Sequence, residues 1–276
     1  MASLTVDDGS DGLEVHGIVS RNLRIAPHPV APRSTDGQMA HLLFVVEELE
    51  PNGQDEMWAN VGSFGNSARR LPESVTIEVF VISAADHNAR FKLHKLIMYI
   101  AVFMNAVNLR YASCKNPKLI MRLVGIKKSS VSKHAAFITS ILLENYKNVD
   151  KIIFNMGLKS THLPFGLTSS MPGAGAVSTR HSRGLAYIGT VCNDRNVGEG
   201  EDKPYSFNGV HVAAHEIAHI LGSKHDGSGP VRFIRGHPGA LACPWKWGYI
   251  MSYIDGGKKH FRFSECSQAQ IRAVLR

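Results

Sequence analysis

Along residues 75–156, segments with the hydrophobic pattern of a strand alternate with segments that have the pattern of a helix. Residues 75–82 are rich in β-branched and aromatic side chains, which is typical of a buried strand. Residues 91–107 carry apolar side chains at helical spacing and predict a mostly buried helix. The same patterns predict a strand at 119–126, a helix at 133–146 and a strand at 149–156. Strands that alternate with helices favour an α/β fold with a mostly parallel sheet.

The pattern is weaker on both sides of this segment. Residues 1–12 are polar, and residues 42–46 form one short predicted strand. The first seventy residues are too short and too broken in pattern to bury a core of their own. They end at Arg69 and Arg70, a basic pair that is either a processing site or a solvated pair in a loop. Further along the chain, residues 184–191 predict a short apolar strand.

Composition and charge exclude several classes of protein. The 276 residues are 44% hydrophobic and 20% charged, which is typical of a folded chain. The net charge of +8 comes from dispersed basic residues, so a solvated surface is favoured over a nucleic-acid site. The longest apolar run, residues 96–104, is far shorter than the roughly 20 residues of a membrane span. The N-terminus lacks the features of a secretory signal, so either the protein is cytosolic or its natural start is missing.

The most informative motif is H-E-x-x-H-x-x-G-x-x-H-D, within residues 211–227. Its fixed positions are His215, Glu216, His219, Gly222, His225 and Asp226. Residues four apart lie on one face of a helix, so the first two histidines can bind one metal ion. The glycine can adopt a positive φ and end the helix, which lets the third histidine return as a third ligand.

Three neutral imidazoles leave a fourth position open for water, which indicates a catalytic zinc ion. Zinc lowers the pKa of that water to about 7, and Glu216 can take its proton as general base. His211 precedes His215 by four residues and is interpreted as a cap or core residue, because a fourth histidine would close the site. The alternative is a set of helix-face histidines satisfied by hydrogen bonds. That alternative leaves Gly222 and His225 unexplained.

The motif resembles that of the metzincin zinc metalloproteases, and its final aspartate is similar to the reprolysin or adamalysin (ADAM-like) branch. Residues 249–253 resemble the Met-turn of that clan, with Met251 beneath the zinc ligands. The sequence around it is most similar to secreted tick and scorpion salivary or venom members. By this resemblance residues 71–276 are the catalytic domain, and residues 1–70 are the C-terminal part of a propeptide. The implied fold has a mostly parallel mixed sheet with an antiparallel edge strand, and a zinc helix followed by the Met-turn.

The resemblance implies a secreted zinc endopeptidase that acts on host proteins. A substrate would lie extended along the edge strand from Gly184 to Gly189, and an apolar pocket would favour a large hydrophobic residue after the cut. Asp226 would be structural and buried near the Met-turn. A calcium ion would use Glu78 and Asp150. Neither a nucleic-acid partner nor a membrane span is expected, and the oligomeric state stays open.

The cysteines bear on stability and on latency. The resemblance implies a disulfide between Cys243 and Cys266, while Cys114 and Cys192 are either paired with each other or free. No cysteine precedes Cys114. The pro-region cysteine that holds zinc in the latent state of many family members is therefore either absent or located upstream.

Two other functions compete with the protease. A binding protein on a metalloprotease scaffold would act by occupying a receptor or channel, but it would not require Glu216. A chelator separates the two hypotheses, because binding would survive the removal of zinc. A nucleic-acid partner would be recognised by an affinity that falls steeply with salt.

Overall fold

The computed structural model describes most of the chain. The described residues are 2–9, 12–28, 30–51, 55–58, 70–130, 163–168, 183–193 and 195–276. The helix predicted at 133–146, the strand predicted at 149–156 and the calcium candidate Asp150 lie outside these residues.

Ten strands and four α-helices are present in the described part of the chain. The strands are β1 (Ser3–Gly9), β2 (Gly12–Ile18), β3 (Leu23–Pro27), β4 (His41–Val45), β5 (Glu56–Met57), β6 (Ser74–Ser83), β7 (Lys118–Lys128), β8 (Leu163–Thr168), β9 (Gly184–Tyr187) and β10 (Gly198–Glu201). The helices are α1 (Ala85–Asn88), α2 (Leu93–Tyr111), α3 (Val210–Ile220) and α4 (Glu265–Val274). Short 3-10 turns occupy Trp245–Trp247 and Gly257–Phe261.

The central sheet has six strands in the order β5-β9-β10-β8-β6-β7. Strands β10, β8, β6 and β7 pair in parallel. Strand β9 pairs antiparallel with β10, and β5 pairs in parallel with β9. The predicted α/β fold with a mostly parallel mixed sheet is confirmed.

Helix α2 packs against this sheet. Leu96, Ile100, Phe103 and Val107 recur at helical spacing, and each is fully buried. The strands predicted at 75–82 and 119–126 and the helix predicted at 91–107 are confirmed, with ends displaced by a few residues. No helix in the described ranges is long and apolar enough to cross a membrane.

The N-terminal residues are more regular than the prediction of a polar stretch at 1–12 and one short strand at 42–46. Strands β1 to β4 form an antiparallel sheet in sequence order. Polar groups attach it to the rest of the chain: the Ser3 hydroxyl donates to the Val102 carbonyl at 3.0 Å, and Arg24 Nε donates to the Ser206 carbonyl at 2.8 Å. Large apolar side chains on this sheet stay exposed, including Val6 and Val45. The sheet is therefore held by contacts with the rest of the chain more than by a core of its own.

The strand predicted at 184–191 is shorter than expected and does not lie at the edge. It ends at Tyr187, and β5 covers its outer side with Glu56 opposite Ala186. The expectation of a free edge strand from Gly184 to Gly189 is wrong for this structure. The reason lies in tertiary structure, because the covering strand comes from the N-terminal segment.

Candidate active site

Helix α3 and the turn after it bring three imidazoles together. Gly222 has a φ of +101°, and a methyl group there would lie 2.2 Å from Val274 Cγ2, so glycine is required at this turn. The turn returns the chain, and His225 Nε2 lies 3.1 Å from His215 Nε2. His219 Nε2 lies 3.1 Å from the same atom. The three histidines predicted to be ligands therefore meet at one point.

Backbone carbonyls fix the orientation of two of these rings. His215 Nδ1 donates to the Ile250 carbonyl at 2.7 Å, and His219 Nδ1 donates to the Ser223 carbonyl at 2.7 Å. In the neutral ring each Nε2 is then a lone-pair acceptor. Burial lowers the pKa of His219 well below its usual value, which favours that neutral form. Nitrogens bound to tetrahedral zinc are about 3.3 Å apart, so the observed spacing fits the ion.

The chain at 249–253 lies directly against the histidines. Met251 is fully buried, and its carbonyl accepts the Asp226 N–H at 2.9 Å. The Tyr253 hydroxyl lies 3.3 Å from His225 Nε2. This is the location at which the resemblance places the Met-turn.

Glu216 lies on α3 next to His215 and is fully buried. Neither of its carboxylate oxygens accepts a hydrogen bond from the described residues. A methyl group at Gly184 would lie 2.2 Å from Glu216 Oε1, so the glycine leaves room for this side chain. Burial, reinforced by the charges of Asp55 and Glu199, raises the pKa of Glu216 well above its usual value. The carboxylate is thus placed to hold or release a proton next to the three histidines.

A carboxylate that the sequence analysis missed lies among the same three histidines. Asp55 is fully buried. One of its oxygens lies 3.1 Å from His225 Nε2, and the other lies 3.3 Å from His215 Nε2. His219 Nε2 is 3.8 Å from the nearer oxygen. The sequence signal near Asp55 is the acid-rich segment 47–56. The acidic residues in it do not follow the spacing of a known metal-ligand motif.

His211 belongs to a different group of side chains. Its ring is fully buried and stacks on His260, with centroids 3.9 Å apart and planes inclined by 8°. Glu50 lies beside both rings, 3.1 Å from His260 Nε2 and 3.6 Å from His211 Nε2. Lone pairs of imidazole lie in the ring plane, so two stacked rings cannot both point at one ion. This geometry favours a packed pair over a second metal site.

The structure contains the expected disulfide but does not test the expected calcium site. Cys243 and Cys266 form a disulfide, and Cys114 and Cys192 are free. Glu78 belongs to no cluster of metal-ligand atoms among the described residues. The calcium site therefore stays a prediction.

Asp226 is buried and linked to the start of α4. It accepts the Ser264 hydroxyl at 2.6 Å, and the same hydroxyl accepts the Ser267 N–H that caps the helix. Burial raises the pKa of Asp226 to about 6, although the Ser264 and Ser267 hydroxyls act in the opposite direction.

We expect Asp226→Ala to lower the free energy of unfolding by about 2 kcal/mol, because a buried capping hydroxyl loses its acceptor. Urea denaturation measures the change. Asp36→Ala is the matched control, since Asp36 is exposed and bonds to Ser34 in its own loop. Equal stability of the two variants would contradict a structural role for Asp226.

Comparison with known proteins agrees with this site. Residues 97–226 match the family described as Metallo-peptidase family M12B Reprolysin-like. A disintegrin and metalloproteinase with thrombospondin motifs like protein of Bombyx mori is 30% identical over 235 residues, covering 75% of this chain and 33% of that protein. The chain thus spans about a third of this silkworm relative.

Two scorpion proteins are similar over nearly the whole chain. Venom metalloproteinase antarease-like TtrivMP_A of Tityus trivittatus is 28% identical, covering 99% of this chain and 75% of that protein. Venom metalloproteinase antarease TserMP_A of Tityus serrulatus is also 28% identical, with the same two coverages. Together with the three converging imidazoles, these matches support a reprolysin-like metzincin metallopeptidase.

Proposed function

We propose that this chain is a secreted zinc endopeptidase that hydrolyses peptide bonds of host proteins. The observation that carries the proposal is the convergence of His215, His219 and His225 with the buried Glu216 beside them. Three neutral imidazoles and a neighbouring carboxylate are the set that zinc-dependent hydrolysis needs. This nitrogen-rich donor set fits zinc and excludes magnesium and calcium, which prefer oxygen ligands.

Zinc, when bound, would supply a Lewis acid that polarises the scissile carbonyl and lowers the pKa of water to about 7. Glu216 would take the proton of the attacking water and return it to the leaving amine. Gly184 supports this role, because its missing side chain leaves space for the Glu216 carboxylate. The carbonyls of Ile250 and Ser223 would keep two ligand rings in the required tautomer.

The substrate would bind extended along β9. The N–H groups of Ala186 and Ile188 point to the outer side of this strand, where they now donate to the carbonyls of Asp55 and Met57. Backbone pairing of this kind is independent of sequence. Specificity would come from a pocket between α3 and the chain after Met251, whose apolar walls favour a large hydrophobic residue after the cut.

Residues 1–70 would be a propeptide that folds with the catalytic part and leaves after a cut at Arg70. The small N-terminal sheet supports this assignment, because its apolar side chains stay largely exposed. Secretion is supported by the disulfide between Cys243 and Cys266, since such bonds persist in oxidising compartments. The scorpion relatives are venom metalloproteinases, which supports host proteins as the targets.

The test uses the full chain with a site for a sequence-specific protease placed at residues 66–70. After folding with zinc, the chain is cut there, and the pieces are separated by size-exclusion chromatography. We expect the larger piece to cleave a mixed peptide library before hydrophobic residues. A chelator should abolish the cleavage, and added zinc should restore it. Absence of cleavage from a folded, zinc-loaded piece would overturn the proposal.

A further inference from the structure

We infer that Asp55 is a fourth ligand of the metal centre and that it holds the uncut chain latent. The inference rests on the proposed function and adds its regulation. The Asp55 side chain is fully buried, and its carboxylate oxygens lie 3.1 to 3.8 Å from the three ligand nitrogens. The ligand atoms of all four residues lie within 4.8 Å of one another.

The hydrogen bonds around this group favour a cation at its centre. His215 and His219 donate their Nδ1 protons to backbone carbonyls, so their Nε2 atoms present lone pairs. The Asp55 carboxylate also presents lone pairs. Acceptors that converge without a proton or a cation between them repel one another at this burial. Three nitrogens and one oxygen around a zinc ion make a closed, four-coordinate site.

The Tyr253 hydroxyl orients the carboxylate. It donates to Asp55 Oδ2 at 2.8 Å, and it lies 3.3 Å from His225 Nε2. A hydrogen bond from outside the ligand set fixes a ligating carboxylate in place. The Met-turn chain therefore provides a partner for the carboxylate as well as for the histidines.

Residues next to Asp55 anchor it from the C-terminal side. Glu56 accepts the backbone N–H of His225 at 3.1 Å. Trp58 packs edge-on against Phe233, with ring centroids 5.7 Å apart, and the Lys224 ammonium lies 4.9 Å from the Trp58 ring centroid. These contacts bind the segment to the chain on both sides of the third ligand.

Residues before Asp55 anchor it from the N-terminal side. Glu48 forms an ion pair with Arg110 of α2, and both side chains are almost fully buried. The Leu49 N–H donates to the Asn208 carbonyl at 2.8 Å, just before the zinc helix begins. A ligand tethered on both sides acts at a high effective concentration. The carboxylate can therefore compete with water and substrate although a single carboxylate is a weak ligand in solution.

The backbone of the same segment pairs with β9, where the substrate would bind, and it places no peptide carbonyl at the metal. The carbonyls of Asp55 and Met57 accept the N–H groups of Ala186 and Ile188, both at 3.0 Å. A side-chain carboxylate, rather than a peptide carbonyl, faces the ligand nitrogens. The segment thus covers the cleft and fills the position that an attacking water needs.

The direct test is made on the full, uncut chain loaded with cobalt in place of zinc. Visible absorption of cobalt reports the number and type of ligands. We expect the Asp55→Ala variant to have a changed cobalt spectrum. It should also bind acetohydroxamate at least about 10-fold more tightly than the unaltered chain, because the coordination position of Asp55 becomes open. Asp36→Ala removes an exposed carboxylate from the same N-terminal segment and should leave both readouts unchanged.

A second variant covers the case in which Asp55→Ala fails to fold. Asp55→Cys places a thiol at the same position, and a thiolate bound to cobalt gives an intense sulfur-to-metal charge-transfer band. We expect that band in Asp55→Cys and not in the unaltered chain, which already contains Cys114 and Cys192. A missing band, or equal hydroxamate affinity with and without Asp55, would overturn the inference.

Cleavage by the uncut chain separates this inference from the proposed function. With zinc bound, uncut Asp55→Ala should cleave peptides at least about 10-fold faster than the unaltered chain. A changed cobalt spectrum with no cleavage by the cut, separated chain would leave Asp55 as a ligand and overturn the protease. Cleavage by the cut chain with an unchanged spectrum would leave the protease and overturn the ligand.

Discussion

Glu216→Gln should lower kcat/KM of the cut, separated chain by about 10²–10⁴-fold, or roughly 3–5 kcal/mol of transition-state stabilisation. Glutamine keeps the size and polarity of the side chain but cannot accept the proton of the attacking water. The space beside Gly184 stays filled, so the local packing is preserved. Steady-state hydrolysis of the best peptide from the library measures the loss.

Two controls make this result specific to the proton transfer. Glu216 is not in the group of converging ligand atoms, so Glu216→Gln should bind one zinc ion with unchanged stoichiometry. Glu73→Gln makes the same chemical change at an exposed position before β6 and should retain full activity. Retention of activity by a zinc-loaded Glu216→Gln would contradict the assignment of the general base.

Removal of the disulfide should produce the largest loss of stability. The double variant Cys243→Ser, Cys266→Ser should lower the free energy of unfolding by about 3 kcal/mol, because the unfolded chain regains the freedom of the closed loop. The two cysteines are 23 residues apart in sequence. The bond ties the loop after His225 to the first turn of α4. Ser264, before this helix, bonds to Asp226, and Val274 at its end packs against Gly222.

Urea denaturation without reductant measures this change. Cys192→Ser is the matched control, because Cys192 is free and exposed, and its replacement should change stability by less than about 0.5 kcal/mol. The double variant should also show weaker zinc retention, since the turn at Gly222 packs against Val274 of α4. An unchanged denaturation midpoint would contradict a stabilising role for the bond.

The N-terminal segment shows where pattern analysis fails. The sequence analysis described residues 1–12, which contain β1, only as polar, and the contacts that attach β1 and β2 to α2 are polar as well. The hydroxyl of Ser3 bonds to a carbonyl of α2, and Lys95 of α2 pairs with Asp7 and Glu14. Alternation of apolar and polar residues cannot reveal a strand whose inner contacts are hydrogen bonds and ion pairs.

The sequence by itself predicted the three histidines that converge and the main elements of the fold. The spacing of His215, His219 and His225 is a local property, since one helix and one glycine turn place all three. Tertiary structure alone decided that Asp55 joins them and that β5 covers β9. Those contacts join parts of the chain that are far apart in sequence, and a single carboxylate has no spacing that marks it as a ligand. Local spacing therefore predicts the three histidines of the site, whereas long-range packing decides which segment covers them.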